Sequence, residues 1–162
     1  MALLNSGRVM ANQGKHAEAL GFIEQAIVAD PTYDRPLLAK AFTLSKLGRS
    51  VEALAIVDEY IRRDSGNAVA YATRGTVLTE AGQMDEADAA FAQAVRLAPT
   101  EYLTHYNYAC FCARAGREET CRRELTRALE LNPGQKSRAA TDLDFEPFYE
   151  QDWFRALVAF TR

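Results

Sequence analysis

Small and apolar residues recur along this chain on a fixed ruler. Gly14, Gly48, Gly82 and Gly116 stand 34 residues apart, and the same interval joins Ala19, Ala53, Ala87 and Cys121. It also joins Ala26, Tyr60, Ala94 and Ala128, then Pro31, Ser65, Pro99 and Pro133, then Gly7, Ala41, Gly75 and Ala109. Five columns held in phase over four units, without an insertion, mark an internal repeat.

Each unit reads as two helices. In the third, Tyr71, Gly75 and Leu78 fall at i, i+4 and i+7, one stripe of a helix. Gly82 then stops that helix, as glycine does where a left-handed turn is needed. Asp85 and Glu86 place negative charge at the start of the next helix, where the macrodipole favours it. Ala87, Phe91 and Ala94 repeat the stripe, and Pro99 ends it. Leu37, Ala41, Leu44 with Ala53, Val57, Tyr60 copy the pattern in the second unit, and Leu3, Gly7, Met10 with Ala19, Ile23, Ala26 in the first. Small residues such as Gly75 and Ala87 suit the place where two helices cross, because short side chains let backbones approach. No such unit buries its apolar face alone, so stacking on the next unit must supply the core. The expected fold is an all-α solenoid of antiparallel helical hairpins.

Tyr71, Gly75, Leu78, Gly82, Ala87, Phe91, Ala94 and Pro99 together resemble the tetratricopeptide repeat, and the likeness covers four consecutive units over about residues 1–133. The units are expected at about 1–33, 34–67, 68–101 and 102–135. Ser6, Lys40 and Arg74 depart from the family's usual leucine, Ser65 from its proline and Cys121 from an alanine. Phase and spacing survive these departures. The resemblance implies a right-handed superhelix that binds protein through its concave face, as an adaptor or scaffold.

Past Pro133 the phase is lost, and residues 134–162 read as a linker and a capping helix. Lys136 to Thr141 suit a short helix, and Asp142 to Phe148 an extended or turning link, since Pro147 disfavours helix before it. Asp152 is placed to cap a last helix from Trp153 to about Phe160, with Trp153, Phe154, Leu157, Val158 and Phe160 as its apolar residues. An aromatic-rich helix there covers an open solenoid end. The sharper alternative makes Trp153 and Phe154 a docking site.

Chemistry is sparse. There is no glycine-rich phosphate loop, no His-Glu-x-x-His and no Gly-x-Ser-x-Gly turn. No catalytic residue, cofactor or metal is therefore assigned, and the chain is read as non-enzymatic. His16 lies near a turn and reads as solvated, whereas His105 takes a large-residue position and reads as core. His105, Cys112 and Cys121 share a hairpin, while Cys110 points about 200° from Cys112 on an ideal helix. Zinc sites favour Cys-x-x-Cys pairs, which are missing, so packing explains the three cysteines better. Three clustered cysteines also make a poor disulfide framework, which points to a reducing compartment.

The chain has 162 residues, 48% of them hydrophobic and 25% charged, with a formal charge of −3. That composition describes a globular surface around a core and excludes wholesale disorder. The charge excludes a bulk electrostatic grip on nucleic acid, and the run Arg114, Arg117, Arg122, Arg123 and Arg127 is broken by Glu118, Glu119 and Glu124. No apolar run is long enough to insert in a membrane, and the start Met-Ala-Leu-Leu-Asn-Ser-Gly-Arg lacks a basic region followed by an apolar one. A cytoplasmic location is the expectation, although a signal removed earlier would leave no trace.

Recognition remains. The resemblance implies that the first helix of each hairpin lines the inner wall, through the stripe turned away from the core. Leu4, Asn5, Arg8 and Asn12 are the candidates in the first unit, with Leu38, Phe42 and Lys46 in the second. Thr73 and Thr76 follow in the third, and Tyr106, Asn107 and Arg114 in the fourth. Leu4, Leu38, Phe42 and Tyr106 read as exposed apolar anchors, so the expected ligand is an extended or helical protein segment with apolar anchors of its own. Mostly Leu, Ala, Phe and Thr stand where some family members hold a carboxylate, which argues against that kind of clamp. The rival readings are a homo-oligomeric scaffold, in which open ends or the groove accept another copy, and a detached regulatory domain of a larger enzyme.

Overall fold

A computed structural model describes residues 2–30 and 35–159. Eight helices alternate in four antiparallel pairs: α1 (Ala2–Asn12) with α2 (His16–Ala29), α3 (Arg35–Lys46) with α4 (Ser50–Arg63), α5 (Ala68–Glu80) with α6 (Met84–Leu97), and α7 (Tyr102–Arg114) with α8 (Glu118–Leu131). Each first helix packs on its own second helix and, from α3 onward, on the second helix of the pair before it. The pairs build an all-α, right-handed solenoid. Pro31 falls outside the described residues, as does Phe160.

The glycine column makes the turns. Gly14, Gly48, Gly82 and Gly116 have φ of 75°, 75°, 77° and 67°, a region that any Cβ would strain. In the third hairpin Gly82 N–H donates to the Thr79 carbonyl at 3.0 Å and Gln83 N–H to the Leu78 carbonyl at 2.9 Å. This paired return satisfies carbonyls that a helix end otherwise leaves bare. Residues before the second helices (Lys15, Arg49, Gln83 and Arg117) offer no side-chain cap. Acidic side chains in the first turn, such as Asp85 and Glu86 or Glu118 and Glu119, supply the compensating charge.

The other conspicuous column sets the helix spacing. A Cβ on Gly75 would stand 2.7 Å from Cδ2 of Phe91, and one on Gly7 would stand 2.8 Å from Cγ1 of Ile23. The missing side chain is the room that each larger neighbour fills. Phe91 then continues the core into the fourth hairpin, with its ring centroid 5.8 Å from Tyr108 and 5.1 Å from Phe111.

After α8 the chain turns through a 3-10 segment, Pro133–Gln135, into the short α9 (Lys136–Ala139). A second 3-10 segment, Leu143–Phe148, carries Pro147 inside it and lies against α7. The last helix, α10, spans Asp152–Val158. Asp152 is its first residue, not its cap: the cap position belongs to Gln151, whose backbone is extended, and no side chain closes the helix start. Phe145, Phe148 and Phe154 are buried in the same cluster as Tyr106, Cys121 and Leu125, so the tail is packed onto the fourth hairpin. Trp153 is half-buried there, with its indole N–H donating to Gln151 Oε1 at 2.6 Å and Glu118 Oε1 at 3.1 Å.

Candidate functional site

The twelve wall candidates separate into two groups. Asn5, Arg8, Asn12, Phe42 and Arg114 are exposed, and Lys46, Thr73, Thr76 and Asn107 half-buried. Leu4, Leu38 and Tyr106 are not on an open wall: their exposures are 8%, 7% and 0%. These three share one place on the ruler, and the reason is geometric. A first helix is gripped on one side by its own partner and on another by neighbouring hairpins, so the free arc is narrower than expected. Leu4 packs with Ile23 and Ala26, and Leu38 with Leu20, Leu44 and Val57. Tyr106 lies beneath the tail instead. Its ring meets Phe145 edge-on at 5.7 Å, its hydroxyl donates to Asp142 Oδ2 at 2.8 Å, and the Arg138 guanidinium sits 4.5 Å above the ring. Burial first, then the Asp142 carboxylate, pushes its phenol above the ordinary range.

What remains is a concave groove of about 400 Å³. Phe42, Lys46, Thr73, Thr76, Asn107 and Arg114 line it, so the second, third and fourth units meet there while Asn5, Arg8 and Asn12 do not take part. Val69, Phe91 and Phe111 add apolar wall, and Cys110, Arg138, Asp142 and Asp144 close one side. Val69 was findable as an exposed valine at the start of α5, 63% accessible. The tail residues were not, because nothing periodic places them beside α7.

The groove's polar atoms differ in availability. Hydroxyls of Thr73, Thr76 and Thr79 donate back to the carbonyls of Val69, Ala72 and Gly75, at 2.8, 3.1 and 2.8 Å, which leaves their oxygens as acceptors. The Asn107 amide, among the described residues, has no hydrogen-bond partner. Lys46 Nζ lies 2.6 Å from Glu80 Oε1 and 5.6 Å from the Phe42 ring centroid. Arg114 Nη1 reaches the same Glu80 oxygen at 3.4 Å. Burial raises the Glu80 carboxyl, and Lys46 and then Arg114 outweigh it, so its pKa is lowered.

His105, read as core from its large-residue position, is buried. Its Nδ1 stands 2.7 Å from Glu124 Oε2 and its Nε2 3.1 Å from the Pro99 carbonyl, so both ring nitrogens face oxygen acceptors. Cys112 and Cys121 are buried, and their thiols are pushed up to about 12: burial leads for both, followed by Asp88 for Cys112 and Glu118 for Cys121. Among the described residues, the group whose donor atoms are near enough to share an ion is Cys110, Asp142 and Asp144, all within 4.8 Å of one another. Burial, then Asp144 and Asp142, pushes the Cys110 thiol far above its ordinary value. The thiol stands beside the Asp144 carboxylate.

Tetratricopeptide repeat models match residues 11–74 and 68–101, together more than half of the chain. The chain belongs to the tetratricopeptide repeat family. Among solved structures, it resembles TTC0263, a thermophilic protein of that family from Thermus thermophilus, at 20% identity and a TM-score of 0.77, over 96% of this chain and 86% of that one. It is also similar to MamA from Desulfovibrio magneticus RS-1, residues 41 to the end, at 22% identity and a TM-score of 0.60, over 82% and 75%. A structure of Naa15/Naa10 bound to HypK-THB matches at 18% identity and a TM-score of 0.64, with 89% of this chain covering 22% of that one. At such identities the likeness shows the fold. No curated protein matches the chain. No described helix is long and apolar enough to cross a membrane.

Proposed function

We propose that this chain is a protein-interaction module, an adaptor that holds an extended segment of a partner in the groove between α3, α5 and α7. One observation carries the reading: an apolar wall including exposed Phe42 and Val69 stands across a cavity of about 400 Å³ from an Asn107 amide with no partner among the described residues. An extended peptide leaves its own N–H and C=O groups unpaired, and one asparagine amide can serve both. The phenylalanine and valine offer a dry surface to an apolar anchor. The three threonine oxygens add acceptors along the floor. The thiol among the lining residues, Cys110, stands by carboxylates with no histidine base in the lining, which favours recognition over turnover.

The test is affinity capture from native extract, comparing wild type with Phe42→Glu combined with Asn107→Ala. Both residues reach the groove without closing the core, whereas Tyr106→Ala would open a cavity under the tail and confuse binding with folding. A partner held by wild type and released by the double variant, at unchanged helicity, supports the groove. Full retention by a folded double variant moves the site elsewhere.

A further inference from the structure

The groove has two electrically opposite sides, and the ruler explains one of them. Asn12, Lys46, Glu80 and Arg114 are one column, on the last turn of each first helix or next to it. Glu80 Oε1 receives Lys46 at 2.6 Å and Arg114 at 3.4 Å, so two cations share one carboxylate and one positive charge is left over. The lowered pKa of Glu80 keeps that count fixed at neutral pH.

The tail supplies the other side. Asp142 is already engaged: its Oδ2 accepts from Tyr106 at 2.8 Å and lies 3.9 Å from Arg138 Nε, and its Oδ1 accepts from the Asp144 N–H at 3.3 Å. Asp144 has no cation beside it among the described residues, and its near neighbour is the uncharged Cys110 thiol. Two carboxylates with one cation leave one negative charge. Lys46 and Arg114 line the same cavity as Asp142 and Asp144, with Thr76 and Asn107 also in its wall. An uncharged ligand would leave both surplus charges to water and to each other, and a ligand of one sign would meet only one of them.

We infer that the groove selects a zwitterionic extended segment, with a lysine or arginine against Asp144, an aspartate or glutamate against the Lys46–Arg114 pair, and an apolar anchor at Phe42 and Val69. The inference rests on the groove reading above. Because the two surplus charges sit on different elements, one on the repeat and one on the tail, they also fix the direction in which the segment runs.

A phage-displayed random dodecapeptide library, selected on the full chain and on three variants, tests it. Wild type should enrich peptides with one basic and one acidic side chain at a constant spacing around an apolar residue. Asp144→Asn should abolish the basic preference and keep the acidic one, and Lys46→Met should do the reverse. A synthetic peptide of the winning sequence should bind Asp144→Asn about two- to fivefold more weakly, as for a partly exposed ion pair, and its charge-swapped isomer should fail on wild type. Enriched peptides indifferent to charge, or a basic preference surviving Asp144→Asn, overturn the charge rule while leaving the groove in place. Peptides that still bind Phe42→Glu overturn the groove itself, and so does a library that yields no enrichment on wild type.

Discussion

Val9 in α1 and Phe111 in α7 occupy the same place on the 34-residue ruler, yet Val9 is 50% exposed and Phe111 only 3%. Thr43 and Val77, between them in the series, are buried as well. The difference does not follow residue type, since a threonine is buried where a valine is exposed. It follows the neighbour on that side. Phe111 has Phe91 of the preceding hairpin at 5.1 Å, and the described residues place no hairpin before Val9. The fourth hairpin is covered again by the tail, through Phe145 and Phe154. In a solenoid, then, the energetic weight of a position is set by its unit's place in the stack.

The largest contrast should come from removing one apolar side chain at each end. Phe145→Ala empties a fully buried place between Tyr106 and Phe154 and should cost about 3–5 kcal/mol. Val9→Ala should stay within about 0.5 kcal/mol. Urea unfolding midpoints of the two variants measure the difference, and equal losses would break the comparison.

A buried polar pair sharpens it next. His105→Ala strips one partner from Glu124, whose side chain is 7% exposed. The loss should be about 3 kcal/mol, at the low end for a broken buried pair because Arg123 Nε still reaches the other oxygen at 2.9 Å. Restoration of stability by the added change Glu124→Leu, read by thermal unfolding, identifies the stranded carboxylate as the cause.

Glycine to alanine should change sign between hairpins. At Gly75 the new methyl meets the Phe91 ring, and the overpacking should cost about 1–3 kcal/mol. At Gly21, inside α2, nothing lies within 4 Å of the new Cβ, and the better helix propensity of alanine should stabilise by up to about 1 kcal/mol. Paired urea titrations report both signs.

The smallest effect concerns Glu80, since the first hairpin carries a neutral Asn12 in that column. The Glu80 pKa is lowered in the fold, so its contribution is present above the unfolded carboxylate value and is lost as pH falls through the folded one. Screening in a partly open groove limits it to less than about 1 kcal/mol. Wild type should therefore exceed Glu80→Gln in stability at neutral pH, and the gap should close as pH falls through the folded Glu80 pKa, below the ordinary glutamate value.

Much of the site was hidden by a rotation of one residue. Of the first-helix residues read as wall, Phe42, Lys46, Thr73, Thr76, Asn107 and Arg114 line one cavity. Leu4, Leu38 and Tyr106 stand about 100° around the helix from their neighbours. That step buries the two leucines among helices and Tyr106 under the tail, whereas the small Ala72 of the same column still lines the cavity. Hydrophobicity carried the warning, since leucine and tyrosine at fixed intervals suit a packed surface as well as a binding one. Partnering of His105 by Glu124, rather than by cysteine, depended on which turn of α8 faces α7, and spacing within α7 alone does not fix that.

The sequence by itself determined the hairpins, their number and their phase. Those features rest on contacts within one hairpin: a glycine free to take positive φ, a small residue opposite a large one, acid at a helix start. Only the tertiary structure decided which arc of the wall stays open and what stands at its edge. Asp142 and Asp144 reach the groove because the aperiodic tail folds back over Tyr106, a contact between residues 36 apart. Local chemistry writes the repeat, whereas long-range packing chooses the face it leaves bare.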